Sequence, residues 1–194
     1  MTKGRLEAFS DGVIAILITI MVLEIKVPHG PEWAALRPLA PVFLSYVLSF
    51  VFVGIYWNNH HHLLHAATKA TAGIMWANMH LLFWLSLIPF ATGWMGEHHA
   101  AALPVALYGA VMTGSAVAYT ILALTIVRAD GQSSRLKAAM GSDFKGQLSL
   151  ACSVTAVPLA FVARWLSVAI YVAIALVWLI PDRRIERELH RDAA

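Results

Sequence analysis

The first hydrophobic run of the chain reads Arg5-Leu-Glu-Ala-Phe9-Ser10-Asp11-Gly12-Val-Ile-Ala-Ile16-Leu-Ile-Thr19-Ile20-Met-Val-Leu23-Glu24. It is long enough to cross a bilayer, since a membrane helix needs about 20 mostly apolar residues. Charged groups nevertheless stand near its start and at its end, and hydrocarbon tolerates such groups poorly unless they are paired or hydrated. The run therefore predicts a membrane helix that does more than anchor the chain.

One face of this predicted helix is smooth and aliphatic apart from a single hydroxyl. When roughly 100° is allotted to each residue, one stripe collects small and aliphatic side chains. Its members are Gly12, Ile16, Thr19, Ile20 and Leu23. Asp11 points away from this stripe, toward a neighbouring helix. The stripe predicts a lining face, but ordinary helix packing gives the same spacing, because Thr can return its hydroxyl to a carbonyl of the preceding turn.

The composition indicates an integral membrane protein. Of the 194 residues, 59% are hydrophobic and only 13% are charged, whereas soluble domains carry about 25% charged residues. The net charge of +3 does not indicate nucleic-acid binding, because the basic residues punctuate the hydrophobic runs instead of forming a patch. The single cysteine, Cys152, lies within an apolar run and excludes a disulfide within the chain.

Six membrane spans are predicted within a single domain, 1–194. They cover roughly 5–26, 38–59, 71–95, 101–127, 146–163 and 165–180. Only Arg164 separates the last two spans, so we expect a tight hairpin there, because one helix across both would overshoot the bilayer. A charged tail follows at 182–194.

Positive charge predicts the orientation. Of the 14 Lys and Arg residues, all but Lys26, Arg37 and Arg164 fall on the side of the N terminus when six spans are assumed. Basic residues accumulate on the cytoplasmic side of membrane proteins. We therefore expect a multi-pass protein of the cell membrane, with both termini and the tail in the cytoplasm.

Three motifs stand in the first half of the chain. They are Arg5-x-x-x-Phe9-Ser10-Asp11 followed by Ile16 and Thr19, then Trp57-x-x-His60, and then Asn78 placed eleven residues before Pro89. Together they resemble the transmembrane protein 175 family of potassium channels, in its compact bacterial six-helix form. The second half of the chain matches that family only in hydropathy.

The resemblance implies a fold, an activity and an assembly. It implies an all-α integral membrane protein with six transmembrane helices per subunit, assembled as a symmetric homotetramer whose first helix lines the pore. Ile16 would form a hydrophobic constriction, Thr19 a polar ring where K⁺ passes, and Ile20 and Leu23 further apolar rings. The family uses no carbonyl selectivity filter, so we expect passive K⁺ conduction with modest selectivity over Na⁺, and no cofactor.

The resemblance also implies a structural polar network near the start of the first helix. It would join Arg5, Ser10 and Asp11 of that helix to His60 and Asn78 of the next two, within the motifs that contain Phe9 and Trp57. Such a network is physically reasonable, because an aspartate inside a membrane needs several donors to stay charged.

Two other functions are consistent with particular residues. The cluster His60, His61, His62 and His65 contains the four-residue spacing that metals use on a helix, as in membrane di-metal enzymes. The remaining histidines do not converge on that end in the predicted topology, so an interfacial helix end is the alternative for His61, His62 and His65. A proton-coupled transporter would use Asp11, His60 and Glu24 as a relay, although the chain lacks an inverted repeat.

Overall fold

The computed structural model describes residues 2–131, 136 and 144–180, and it is helical. The predicted tail 182–194 lies outside these ranges. The elements in order are α1 (Lys3–Leu23), a 3₁₀ helix (Trp33–Leu39) that runs into α2 (Ala40–Ala66), α3 (Ala72–Ser86), α4 (Ile88–Glu97), α5 (Ala102–Asp130) and α6 (Phe144–Leu179). Among these described residues, five helical segments are long and apolar enough to cross a membrane. In this count the 3₁₀ helix and α2 form one segment, and α3 and α4 form another. The prediction of an all-α membrane protein is confirmed.

α3 and α4 form one interrupted segment where the sequence predicts a single span at 71–95. Pro89 is the second residue of α4. Proline has no N–H to donate, and its ring crowds the carbonyl one turn earlier, which is that of Leu85. The helix is therefore interrupted at Leu87, which separates the two halves. Thr71 caps the start of α3 by accepting a hydrogen bond from the Ile74 amide at 3.3 Å.

α2 extends well past the predicted end of its span at residue 59. The polar stretch that follows lowers the local hydropathy, yet it remains helical to Ala66. His60, Leu63 and Leu64 lie on one face of this extension and are buried. Tertiary packing of that face, and not hydropathy, therefore decides where α2 ends.

α6 reverses direction at Ala163, whose φ of −145° and ψ of 68° are not helical. Two hydrogen bonds join the beginning of α6 to its end. Lys145 Nζ donates to the Ile180 carbonyl at 2.9 Å, and Trp178 Nε1 donates to Ser149 Oγ at 2.9 Å. A straight helix of this length would be about 54 Å long. The two arms of α6 are therefore antiparallel, and the reversal lies one residue before Arg164.

Three hydroxyl groups join α2, α4 and α5 in the buried centre of the subunit. Ser49 Oγ donates to Tyr108 Oη at 3.1 Å, and Thr92 Oγ1 lies 2.6 Å from Ser49 Oγ. All three residues are buried. Buried hydroxyl groups need such partners, because an unpaired one costs about 1–3 kcal/mol. The bonds fix the relative positions of the three helices.

We predict that Gly109→Ala destabilises the fold where α5 meets α6. A Cβ at Gly109 would overlap the Tyr171 hydroxyl oxygen and lie 2.8 Å from Tyr171 Cζ. Overpacking of this kind typically costs about 1–3 kcal/mol. Thermal unfolding in detergent measures the effect.

Gly54→Ala is the matched control, because a Cβ at Gly54 meets nothing within 4 Å. When Tyr171→Phe is combined with Gly109→Ala, the overlapping oxygen is removed but the ring carbon stays. We therefore expect the double variant to regain part of the lost stability. Equal midpoints for the native chain and for Gly109→Ala would contradict the close approach of these helices.

Candidate functional site

α1 has two faces with opposite environments. One face is buried against α2, α3 and α4, and its residues are three or four positions apart in the sequence. Its buried members are Leu6, Ser10, Ile14, Leu17 and Met21. The other face is exposed and contains every residue of the stripe predicted from the sequence. Ile16 is 57% exposed, Ile20 41% and Leu23 78%.

Gly12 lies on the exposed face, where packing within the subunit does not require a small residue. Gly12 is exposed, and a Cβ placed there would meet nothing within 4 Å. Glycine within a helix costs about 0.5–1 kcal/mol relative to alanine. Packing within this subunit therefore gives no reason for glycine at this position.

Thr19 is the one hydroxyl on the exposed stripe. Its Oγ1 lies 2.9 Å from the Ile16 carbonyl oxygen and 3.3 Å from that of Ala15. The hydroxyl therefore donates its hydrogen to the backbone of the preceding turn. Since a hydroxyl also has two acceptor lone pairs, the Thr19 oxygen keeps acceptor capacity on an exposed surface. Such an oxygen suits a cation better than an anion.

A buried chain of hydrogen bonds joins α1, α2 and α3. His60 Nε2 lies 2.7 Å from Asn78 Oδ1, and Asn78 Nδ2 donates to Ser10 Oγ at 2.9 Å. Ser10 Oγ in turn donates to the Leu6 carbonyl at 2.9 Å. All three polar side chains are at most 1% exposed. Because the Asn78 oxygen can only accept, His60 Nε2 is the protonated nitrogen in this arrangement.

Asp11 takes part in a separate contact. Trp57 Nε1 donates to Asp11 Oδ1 at 3.1 Å, and the Trp57 side chain is 48% exposed. Arg5 and Phe9 are also exposed, and among the described residues the Arg5 side chain has no hydrogen bond or ion pair. The residues of the predicted network thus fall into two groups, a buried one around Asn78 and an exposed one around Asp11, with Arg5 apart from both.

The histidine rings at the end of α2 contact one another, and those of His61 and His65 are stacked. The ring centroids of His61 and His65 lie 6.1 Å apart with nearly parallel planes, and those of His61 and His62 lie 5.6 Å apart. Lys3 Nζ donates to the His65 carbonyl at 2.6 Å, which ties the start of α1 to this end of α2. Within residues 2–131, 136 and 144–180, no three His, Cys, Asp or Glu side chains are grouped to hold a metal ion.

Glu24 follows the last residue of α1, whereas Asp11 lies near the middle of that helix. Its Oε2 is 3.2 Å from the position that a Cβ of Gly93 would occupy, so its side chain packs against α4. The rise along a helix separates Asp11 from Glu24 by about 20 Å. In the described part of the chain, no run of direct side-chain hydrogen bonds links Glu24 to Asp11 or His60.

Two contacts at this site do not follow from the sequence motifs. Lys26 Nζ donates to Glu97 Oε1 at 3.0 Å and joins the residues after α1 to the end of α4. Trp57 lies within a motif, yet no signal in the sequence shows that Asp11 is its partner. Charges of opposite sign at the ends of the first and third predicted spans are the only sequence signal for the Lys26 contact.

Comparisons with known proteins lead to one family, whose members are named as potassium channels or as proton channels. Residues 5–89 match the family model described as "Endosomal/lysosomal potassium channel TMEM175". A protein of Chryseobacterium sp. (strain P1-3) named as a potassium channel is 55% identical over 189 residues, which cover 97% of this chain and 98% of the relative. A chicken relative named "Endosomal/lysosomal proton channel TMEM175" is 38% identical over 103 residues, which cover 47% of this chain and 21% of the relative.

A solved structure is also similar. The crystal structure of a lysosomal potassium-selective channel TMEM175 homolog from Chamaesiphon minutus matches with a TM-score of 0.80 at 27% identity. The match covers 92% of this chain and 96% of that chain. The similarity therefore extends to the second half, where the sequence motifs are absent.

Proposed function

Because this chain belongs to the TMEM175 family of potassium channels, we propose that four copies of it form a K⁺-permeable pore lined by α1. The family predicted from the motifs of the first half is confirmed, and the relatives are channels and not enzymes. Conduction is passive and modestly selective for K⁺ over Na⁺. The protein lies in the cell membrane, in contact with its lipids.

The uncovered face of α1 is the observation that supports this pore best. α1 buries one side in its own subunit and leaves the stripe from Gly12 to Leu23 exposed. Arg5 is exposed and Asp11 is partly exposed on the same helix. Charged groups on a membrane helix need a protein partner or water. Identical subunits around an axis supply both, because they cover the flanks of α1 and enclose a hydrated path.

The side chains of the stripe would form successive rings around that path. A ring of Ile16 makes a narrow apolar neck that excludes water and therefore hydrated ions. Thr19 lies almost one turn further, and its hydroxyl oxygen replaces part of the hydration shell that a K⁺ ion loses. Leu23 adds an outer apolar ring, with Ile20 between. No Thr-Val-Gly-Tyr-Gly loop occurs in the sequence, so selectivity rests on the cost of dehydration.

Six membrane crossings with both termini in the cytoplasm complete the proposal. The reversal at Ala163 supports counting the two arms of α6 as two crossings. Arms of 16 to 19 residues are about 24–28 Å long, close to the bilayer core of about 30 Å. Arg164 then lies at the turn between the arms, on the side that holds few basic residues.

The geometry supports a channel better than a proton-coupled transporter. Coupling would need Asp11, His60 and Glu24 to exchange protons along a connected path. His60 instead bonds to Asn78, Asp11 bonds to Trp57, and Glu24 packs on Gly93. Conduction driven by the ion gradient alone is consistent with these separate contacts.

Ion flux into liposomes that contain the purified protein tests the proposal. We expect K⁺ entry driven by its own gradient, with no imposed proton gradient, when a proton ionophore lets H⁺ leave the liposome and so balances the charge. Na⁺ entry under the same conditions should be slower. Thr19→Ala should change the ratio of K⁺ flux to Na⁺ flux about fivefold. This corresponds to a change of about 1 kcal/mol in the difference between the free-energy barriers to K⁺ and Na⁺ passage.

Thr155→Ala is the matched control, because Thr155 is exposed on α6 and also donates to a carbonyl of its own helix. It should leave the ratio unchanged. Absence of K⁺ flux, or flux that requires a proton gradient, would overturn the channel; equal ratios for Thr19→Ala and the native chain would overturn the role of Thr19.

A further inference from the structure

A narrow groove opens between α2, α5 and both arms of α6, away from the exposed stripe of α1. Its volume is about 90 Å³. Its lining includes Tyr56 and Asn59 of α2, Ala116 of α5, and Ser149 and Trp178 from the two arms of α6. Pockets for drug-sized ligands usually enclose about 300–1,000 Å³. The groove therefore suits a slender apolar group better than a compact small molecule.

The groove lies in the half of the membrane that faces the N terminus. Lys3 contacts the end of α2, and Thr68, just after α2, bonds to Asp130 at the end of α5. The start of α1 and the ends of α2 and α5 are therefore on one side. The lining residue Asn59 lies near that end of α2. Ser149, in the first turns of α6, lines the same groove, so Lys145 at the start of α6 lies on this side too.

A cation is held at the mouth of the groove on this side. Lys145 Nζ lies 4.7 Å from the centroid of the Trp178 ring, and it donates to the Ile180 carbonyl. These contacts keep the ammonium beside the groove, so that it does not extend freely into water. Because a Lys ammonium has three donors, the bond to Ile180 leaves two of them for an anion. Trp178 also lines the groove, and tryptophan side chains are enriched at the level of the lipid headgroups.

From these features we infer that the groove binds one anionic phospholipid per subunit. The phosphate contacts Lys145 and the side chain of Ser149 lies just below it, while a segment of one acyl chain enters the groove between α2 and α5. In the orientation proposed above, this lipid belongs to the cytoplasmic leaflet, where anionic headgroups attract basic residues. The inference does not depend on ion conduction through α1.

Native mass spectrometry of the full-length protein in detergent tests the inference. Phosphatidylglycerol or phosphatidylcholine is added in steps, and the lipids retained per subunit are counted. We expect Lys145→Gln to weaken retention of phosphatidylglycerol about fivefold, as expected for about 1 kcal/mol per basic residue at an anionic surface. Lys69→Gln, which removes an exposed cation in the turn after α2, should leave retention unchanged.

A second pair of variants tests the apolar part of the site. Ala116→Leu fills the groove and should weaken retention of both lipids. Ala173→Leu makes the same change at an exposed position of α6 outside the groove and should have no effect. Equal effects of the two lysine variants, or full retention in Ala116→Leu, would overturn the inference. A loss of subunits from the assembly in Ala116→Leu, with lipid retention unchanged, would show instead that a second copy covers the groove.

Discussion

Ile16→Asn is expected to raise passive K⁺ flux into liposomes by about tenfold or more. If Ile16 forms the narrowest ring of the pore, its side chain excludes water from the neck. An amide at this position offers hydrogen bonds and keeps the neck wet. A tenfold rise corresponds to a free-energy barrier to K⁺ passage that is lower by about 1.4 kcal/mol. The same change should lower the K⁺/Na⁺ ratio, because a hydrated neck demands less dehydration of either ion.

Val22→Asn provides the control for this experiment. Val22 is 45% exposed on the same helix, but it lies about 120° around the helix from Ile16. The control introduces the same polar group into the same helix, outside the stripe. Equal flux changes in both variants would show a general loosening of α1, and no change in Ile16→Asn would place the constriction elsewhere.

The faces of α1 could be predicted from the sequence because a helix has a fixed period. Gly12, Ile16, Thr19, Ile20 and Leu23 were grouped by angle alone, and all five are exposed in the structure. Angle alone does not show what an exposed face contacts. A lipid-facing stripe and a pore-lining stripe have the same periodicity, so the proposal that the stripe lines a pore rests on the family resemblance.

The hydrogen-bond partners of the polar residues are harder to predict from the sequence than the faces of α1. Ser10 and Asp11 are adjacent, so they point about 100° apart on the helix. Ser10 therefore reaches Asn78 of α3, whereas Asp11 reaches Trp57 of α2. The resemblance placed both residues in one network, but their positions on the helix separate them in the described subunit.

Element boundaries depended on packing that hydropathy does not measure. α2 continues through a polar stretch to Ala66 because one face of that stretch is buried. α3 and α4 are interrupted before Pro89, a break that the residue type alone explains. The reversal at Ala163 lies beside Arg164, where the bilayer thickness already predicted a hairpin.

Asn78→Leu is expected to destabilise the subunit by about 2–4 kcal/mol. Asn78 is fully buried and uses both ends of its amide, one toward His60 and one toward Ser10. Leucine has a similar size but no polar atoms, so the His60 N–H loses its acceptor and the Ser10 oxygen loses a donor. Each unsatisfied buried group costs about 1–3 kcal/mol. For a chain of this length, the unfolding midpoint in detergent should fall by about 5–15 °C.

Asn58→Leu is the control, because it makes the same chemical change at an exposed position of α2. It should change the midpoint little. An unchanged midpoint in Asn78→Leu would contradict the buried chain of hydrogen bonds. A stable Asn78→Leu protein with altered K⁺ flux would give Asn78 a role in conduction instead of in folding.

A second change at His60 separates the cost of unpaired groups from the cost of altered packing. When both partners of a buried hydrogen bond become apolar groups of similar shape, the net loss is small, because no donor is left without an acceptor. His60→Phe combined with Asn78→Leu should therefore be more stable than the sum of the single variants indicates. The difference measures the coupling between the two side chains, which for residues in one network is typically about 0.5–3 kcal/mol. Strict additivity would mean that Asn78 stabilises the subunit through its packing and not through His60.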